Sequence, residues 1–495
     1  MAPMMERFSP TTALWKKLSL FDRTVGAIAI VLVLLIAVVL LRGNQSPLMV
    51  TQYSWRNTNI GAQTQALTMT FNHPVDPDVM ESGLVIDPPL AGKTIWQGRR
   101  WFYTLTDIPR YGTNYQLTLP LPAMVRGPRG QDFTSLITSR ARALAYIGVA
   151  GEERGRLILY NITNPQQPQK IILTPKDLTV RQFQIYPQGD RLIFTATDPT
   201  RRGGQQNIFT VATGINNLNT QTKVLPGKLE RLWEDQDYDN QRIALAANGS
   251  MLVIARENAQ NSADSGLWVA PSGENPRPLG IRAEKFIVGP NGNFLAVGQE
   301  GGVGLIPLIP EAGAPHFLEA MEQALDFSAD GKQLLLSQQN PDFSHSLIVY
   351  DLQERTQREV LRGPYPLISC RFDPRSQPRA YCLQADFIQR EGEPVQPEPY
   401  LAVINLTDGQ ARPLLALPNY PEVDLTVAPD GLGLMFDQVA TGPTLGSHDL
   451  LTNSQRSIVD GRVWLLPLPG DLATETDADP DPQELTAGFA PRWMP

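Results

Sequence analysis

Three groups of residues have side chains whose types and spacing suit chemistry. Ser447, His448 and Asp449 bring together the three types of a hydrolytic relay. That relay depends on folded geometry and not on adjacency, so three consecutive neighbours read as a polar loop. Asp235, Asp237 and Asp239, and again Asp477, Asp479 and Asp481, alternate like the opening of a calcium loop. An EF-hand needs Gly at its sixth position and Glu at its twelfth. Asn240 and Ala246 stand there in the first run, Pro482 and Gly488 in the second. Both read as solvated loops. Cys370 and Cys382 are the only cysteines, too few for a disulfide framework and at a spacing that fits no zinc site. They lie on opposite arms of one expected hairpin, six residues either side of Ser376. Two readings follow, a disulfide in an oxidising compartment or a pair of buried thiols. His73, His316, His345 and His448 are scattered. No nucleophile elbow, zincin helix, Walker loop or dinucleotide fingerprint occurs. The sequence therefore assigns no catalytic, cofactor-binding or metal-binding residue.

The elements around these residues are strands. The 495 residues include 39 glycines and 43 prolines, turn chemistry that favours many short strands over long helices. From about residue 140 one unit recurs: a strand, a Pro-x-Gly-like turn, then another strand. The turns align at Pro187, Ala247, Pro290, Ala329, Pro374, Pro429 and Pro495. Two positions earlier stand Ile185, Leu245, Val288, Phe327, Phe372, Val427 and Trp493, all apolar. Two later stand Gly189, Gly249, Gly292, Gly331, Ser376 and Gly431. Period 2 puts alternate residues on one face, so each unit is a hairpin with one buried side. A third apolar strand follows in every unit, for example Leu347 to Leu352, and then a short outer patch such as Val360-Leu361. Four strands per unit predict propeller blades, which bury their faces only in a closed ring. The first unit lacks a leading hairpin and the last stops as that strand begins. The strand near Phe489 to Met494 is therefore expected to complete the first of seven blades.

Residues 42–139 predict a smaller β-sandwich. Leu67, Met69 and Phe71 alternate with Thr68 and Thr70; Tyr115, Leu117 and Leu119 alternate again; Trp96 and Trp101 flank a turn at Gly98. His73 falls in a turn. Before this module, Val25 to Leu41 holds no polar or charged residue and spans roughly 26 Å as a helix, against a hydrocarbon core of about 30 Å. Leu40, Leu41, Arg42 and Gly43 make a poor cleavage site, which favours an uncleaved anchor over a signal peptide. Arg7, Lys16, Lys17 and Arg23 precede the run and only Arg42 closely follows it. The positive-inside rule then places residues 1–24 in the cytoplasm and the remainder across the membrane.

Two resemblances add to this reading. The units resemble the TolB-like propeller repeats of bacterial envelope proteins, at Phe327-Ser328-Ala329-Asp330-Gly331-Lys332, Val427-Ala428-Pro429-Asp430-Gly431, and Glu484-Leu485-Thr486 leading to Pro491-Arg492-Trp493. The sandwich is similar to bacterial immunoglobulin-like domains, at Thr70-Phe71-Asn72 with Pro74-Val75-Asp76, and at Gly112-Thr113-Asn114-Tyr115. The first implies a fold that hosts binders and enzymes alike; the second implies a spacer or adhesive module.

The expected architecture is thus all-β: a seven-bladed propeller over 140–495, an immunoglobulin-like sandwich over 42–139, a transmembrane helix over 25–41 and a cytoplasmic tail over 1–24. Residues 43–495 carry a net charge of −11 with no basic stripe, so nucleic acid is a poor partner. The expected function is a protein-binding or scaffolding module of the bacterial envelope, anchored in an inner or thylakoid membrane. Its bulk would lie in the periplasm or lumen, and a glycan is a possible further ligand. The rival is an enzyme, a lyase or glycan hydrolase, with its site in the propeller funnel. A ligand sensor is the third reading, and the short tail leaves it no output domain.

Overall fold

The computed structural model describes residues 20–495 apart from 43–46, 57, 63, 65, 122–130, 198–203, 216–223, 234–236, 376, 389–395, 418–421, 444–448, 453 and 470–480. The fold is all-β, a β-propeller preceded by an N-terminal helix and by two small sheets that carry a second, short helix. The N-terminal helix, Leu20–Arg42, leaves every Val, Ile and Leu between Val25 and Val38 exposed. Among the described residues, no helix is long and apolar enough to cross a membrane.

Two four-stranded sheets follow. One orders Val50–Tyr53, Ala66–Phe71, Arg100–Leu105 and Gly92–Gln97; the other Asn59–Ile60, Phe133–Ser139, Asn114–Leu119 and Val85–Asp87. The alternation in Ala66–Phe71 comes out as expected, with Leu67, Met69 and Phe71 buried among Trp101, Tyr115 and Leu117. Gly98, at positive φ, turns the hairpin that pairs Trp96 with Trp101. A short helix, Pro77–Gly83, has no counterpart in the sequence-based expectation. Asp76 caps it by accepting a bond from the Asp78 N–H, and Pro77 stands in its first turn.

Among the described residues beyond these, seven four-stranded antiparallel sheets follow. Their inner strands are Phe489–Trp493 for the first, then Thr179–Ile185, Tyr238–Leu245, Phe286–Val288, Gln323–Phe327, Leu367–Phe372 and Leu425–Val427. Each inner strand neighbours the next, and Phe489–Trp493 neighbours both Leu425–Val427 and Thr179–Ile185. The first sheet is built from both ends of this region: Phe489–Trp493 pairs with Ala143–Ile147, setting Trp493 opposite Leu144. Apolar clusters fill the gaps between sheets, so that no sheet buries its faces alone.

The repeated turns have a local cause. Gly189, Gly249, Gly292, Gly331 and Gly431 all have φ near +70°, which favours glycine. The turns also stack round the ring. A Cβ on Gly249 would meet Pro187 at 3.0 Å, and one on Gly331 would meet Pro290 at 3.3 Å. At Gly189 the neighbours are Met494 and Pro495, the latter 3.6 Å from such a Cβ. Pro495 thus fills the place that a preceding turn fills elsewhere.

Antiparallel order sorts the connections onto two faces. Inner-to-second turns and third-to-outer loops share one, here the turn face. Second-to-third loops and the links from one sheet to the next share the other, the connection face. The sandwich sits on the turn face. The Tyr111 N–H donates to Asp430 Oδ2 at 3.1 Å, and Asp430 belongs to the turn of the seventh sheet. Arg140 donates to the Pro495 carbonyl at 2.5 Å, and Gly112 packs beside Thr163 in the third-to-outer loop of the first sheet.

Candidate functional site

With the sandwich on the turn face, the connection face holds the mouth of the central funnel. Polar side chains at or just before the inner strands knit its wall. Gln182 exchanges two 3.0 Å hydrogen bonds with the backbone of Ile243. Arg242 donates to the Glu284 carbonyl at 2.9 Å, Lys285 to Gln323 at 3.1 Å, and Gln323 to the Leu367 carbonyl at 3.0 Å. Asp326 accepts from the Phe372 N–H at 2.9 Å, and burial pushes its carboxyl pKa up, with Arg371 working against the shift. These bonds satisfy backbone groups that short strands leave open near the axis.

A cavity of about 720 Å³ opens where the second, third and seventh sheets meet. Arg181, Arg242, Arg256 and Arg282 line it together with Glu257 and Glu284. Burial pulls the pKa of Arg181 down, offset by Asp449 and Asp239; burial also pulls Arg242 down, offset by Asp424 across the funnel. Arg256 lies over the rings of Tyr238, 4.0 Å from the centroid, and Trp268, at 5.1 Å. Such stacking suits a planar guanidinium. The seventh sheet reaches this cavity through its second-to-third loop. Leu450 packs in one cluster with Leu178 and Val180, the Asp449 carbonyl accepts from Arg181, and Thr452 and Ser454 form part of the rim. This loop therefore crosses the seam where the ring closes.

Beneath the loop lies a buried charge cluster. Asp437 accepts from the N–H groups of Asp424 and Ala490, both at 2.7 Å. Arg492 donates to Asp424 at 2.6 Å. Burial, then the charge of Asp424, pushes the Asp437 carboxyl up to about 7. A buried carboxyl whose pKa is raised beside a second carboxylate invites an acid–base reading. Both Asp437 oxygens, however, are taken by backbone of the closing strand and its neighbour, so its work is structural.

The residues singled out from sequence fare differently. Ser447 and His448 lie outside the described residues; Asp449 contributes its carbonyl. Asp235, Asp477 and Asp479 also lie outside them. Asp239 accepts from the Gln206 N–H and Asp237 from Gln260 Nε2, so each ties a loop. Among the described residues, no group of three or more potential ligands could hold a metal ion. His73 falls in a half-buried bend, and His316 stacks on Tyr350. His345 Nδ1 lies 3.7 Å from Glu322, whose carboxylate also faces Ser337. Ser337 is fully buried, which leaves it no access to a substrate. Cys370 and Cys382 stand directly opposite each other in the sixth sheet, Cα atoms 4.1 Å apart, and their sulfurs are joined. The arginines of the cavity carry no signal in the sequence. Each sits at a different offset in its own unit, and only the closed ring gathers them.

No family model matches the chain, and no curated protein does. Among solved structures, TolB from Acinetobacter baumannii matches over 83% of each chain at 10% identity, with a TM-score of 0.38. A putative 6-phosphogluconolactonase from Bacteroides fragilis matches over 71% of this chain and 98% of its own at 10% identity, TM-score 0.42. Prolyl oligopeptidase B from Galerina marginata matches over 76% of this chain and 50% of its own at 9% identity, TM-score 0.42. Likenesses this distant carry no argument about activity.

Proposed function

We propose that this chain is a membrane-anchored, extracytoplasmic scaffold that binds a protein partner on the connection face of its propeller. The seven sheets are read as seven blades of a ring closed by Phe489–Trp493, and residues 42–139 as an immunoglobulin-like spacer. One observation carries the reading: the sandwich occupies the turn face, which leaves the funnel mouth and the long hairpins on the opposite face, clear of it. The hairpins of the sixth and seventh blades, Arg379–Ile388 with Gln396–Asn405 and Gly433–Gly442 with Ser457–Pro467, are the longest. At about 3.3 Å per residue they raise a wall on that face. The fourth blade, with its tight link at Glu300-Gly301, leaves that side low.

The anchor reading rests on the exposed aliphatic run from Val25 to Val38, since each such side chain gains about 1.5–3 kcal/mol when removed from water. A bilayer supplies that removal, and the basic residues before the run put the N-terminus in the cytoplasm. The envelope location, bacterial inner or thylakoid membrane with the bulk periplasmic or lumenal, also suits a bonded Cys370–Cys382 pair. No nucleic acid is expected, and a glycan is a secondary ligand class. The enzyme reading lacks a specific observation in its favour, because the buried Asp437 carboxyl is bound to backbone N–H groups and Asp424 is paired with Arg492. Crosslinking in native membranes followed by affinity capture tests the proposal. It should return one partner in near-stoichiometric amount, and repeated recovery of none would contradict it.

A further inference from the structure

We infer that the cavity between the second and third blades takes an acidic peptide segment of the partner, with carboxylates set against Arg242 and Arg282. This rests on the binding-scaffold reading and adds the chemistry of what enters. Four arginines face one cavity in a region whose net charge is −11, so a local cationic field sits inside an anionic surface. Low-dielectric walls focus such a field and favour an anionic ligand. Arg242 spends one N–H on the Glu284 carbonyl, and Arg282 donates to the carbonyls of Ser262 and Ser265. Among the described residues, neither has a carboxylate within ion-pair distance, and a guanidinium keeps further donors in its fork for bidentate capture.

A peptide fits better than a small bare anion. Glu257 and Glu284 share the same walls, so a compact ion would meet both signs at once. An extended segment can place a carboxylate on Arg242 and a neutral residue beside each glutamate. Gln241, Gln455, Thr452 and Ser454 complete the lining with polar side chains; Thr452 and Ser454 share a hydrogen bond, and Ser454 donates to Glu422. The volume, about 720 Å³, lies within the range of sites that enclose a ligand of a few residues.

Selection of a random heptapeptide display library on the full-length, detergent-solubilised protein tests this. The recovered sequences should be enriched in Asp and Glu. By fluorescence polarisation the best peptide should lose at least about tenfold in affinity in Arg242→Gln/Arg282→Gln, roughly what one or two charge-assisted bonds supply. Arg282→Gln alone, an exposed change that should not disturb folding, should weaken it measurably, and Arg277→Gln on the outer strand should not. Recovery of no binder, of sequences without acidic enrichment, or of a peptide indifferent to Arg282→Gln would overturn the inference. So would displacement by citrate at concentrations equal to the peptide, which would point to small carboxylates instead. A partner captured equally well by the wild type and the double variant would also end the inference while leaving the scaffold reading intact.

Discussion

Deleting residues 488–495 removes the strand that closes the ring, and its cost can be worked from the side chains and hydrogen bonds that go with it. Phe489, Trp493 and Met494 are 6%, 7% and 3% exposed. Truncating a buried Phe or Trp costs about 3–5 kcal/mol and a Met about 2–5 kcal/mol. The deletion also takes away the Ala490 N–H that Asp437 accepts, the Arg492–Asp424 pair, and the Met494 N–H bond to the Ala143 carbonyl at 2.9 Å. The first blade is left with an open edge and the funnel with a gap. Even discounted for non-additivity, the sum is on the order of 10 kcal/mol, comparable to the whole stability of an ordinary domain, roughly 5–15 kcal/mol. The truncated protein should therefore lose its cooperative melt or melt more than about 10 °C lower, given a shift of roughly 2–4 °C per kcal/mol for large domains. Intrinsic fluorescence and near-ultraviolet circular dichroism at one fixed scan rate read this out. Ile171→Ala and Ile172→Ala, on the exposed outer strand of the same blade, supply the control and should shift the midpoint little. A truncated protein melting within about 2 °C of the wild type would refute closure by this strand.

Further outcomes follow from the seam, the interdomain contact and the cysteines. Asp437 has its pKa raised from 3.8 to about 7, so its folded state favours the proton; the stability it contributes is full below about 4 and lost as pH rises toward 7. The difference in melting temperature between wild type and Asp437→Asn should therefore change across pH 4–7, and a constant difference would contradict the assignment. Asp430→Ala strands the buried N–H groups of Tyr111 and Leu432, each 3.1 Å from its carboxylate, at a cost of about 1–3 kcal/mol per group. Limited proteolysis between residues 139 and 143 should quicken; an unchanged rate would mean that this bond does not hold the sandwich in place. Peptide mapping of membrane-derived protein without reduction should find Cys370 and Cys382 joined, and free thiols on both would argue against an oxidising compartment.

Much of this fold can be read from the chain because its signals are local. A glycine two residues past five of the turns is needed where φ is near +70°, and alternation in a strand such as Ala66–Phe71 follows from one buried face. Even closure is legible, since Pro495 aligns with Pro187 and Pro290 in the sequence alone. The sixth unit, with Ser376 in place of the glycine, falls out of step because its second strand begins at Arg379, one residue later after the turn than in the other units. What stays hidden depends on long-range geometry. Tyr111 and Asp430 meet across 319 positions, so the face that the sandwich covers has no local signature. Arg181 and Arg242 look like ordinary surface charges until ring closure brings them to one cavity. The helix Pro77–Gly83 reads as a break in the sequence because Pro74 and Pro77 mask its short run.

The central claim is that the connection face, opposite the sandwich, is where the partner binds. A photocrosslinking amino acid placed singly in the native-membrane protein tests it directly. Positions Gln455, Arg282 and Tyr365 sample the connection face, and Asn248 and Asn291 sample the turn face. The account expects one common adduct from the first set and none from the second. Adducts arising only from Asn248 and Asn291, or equally from both faces, would contradict it.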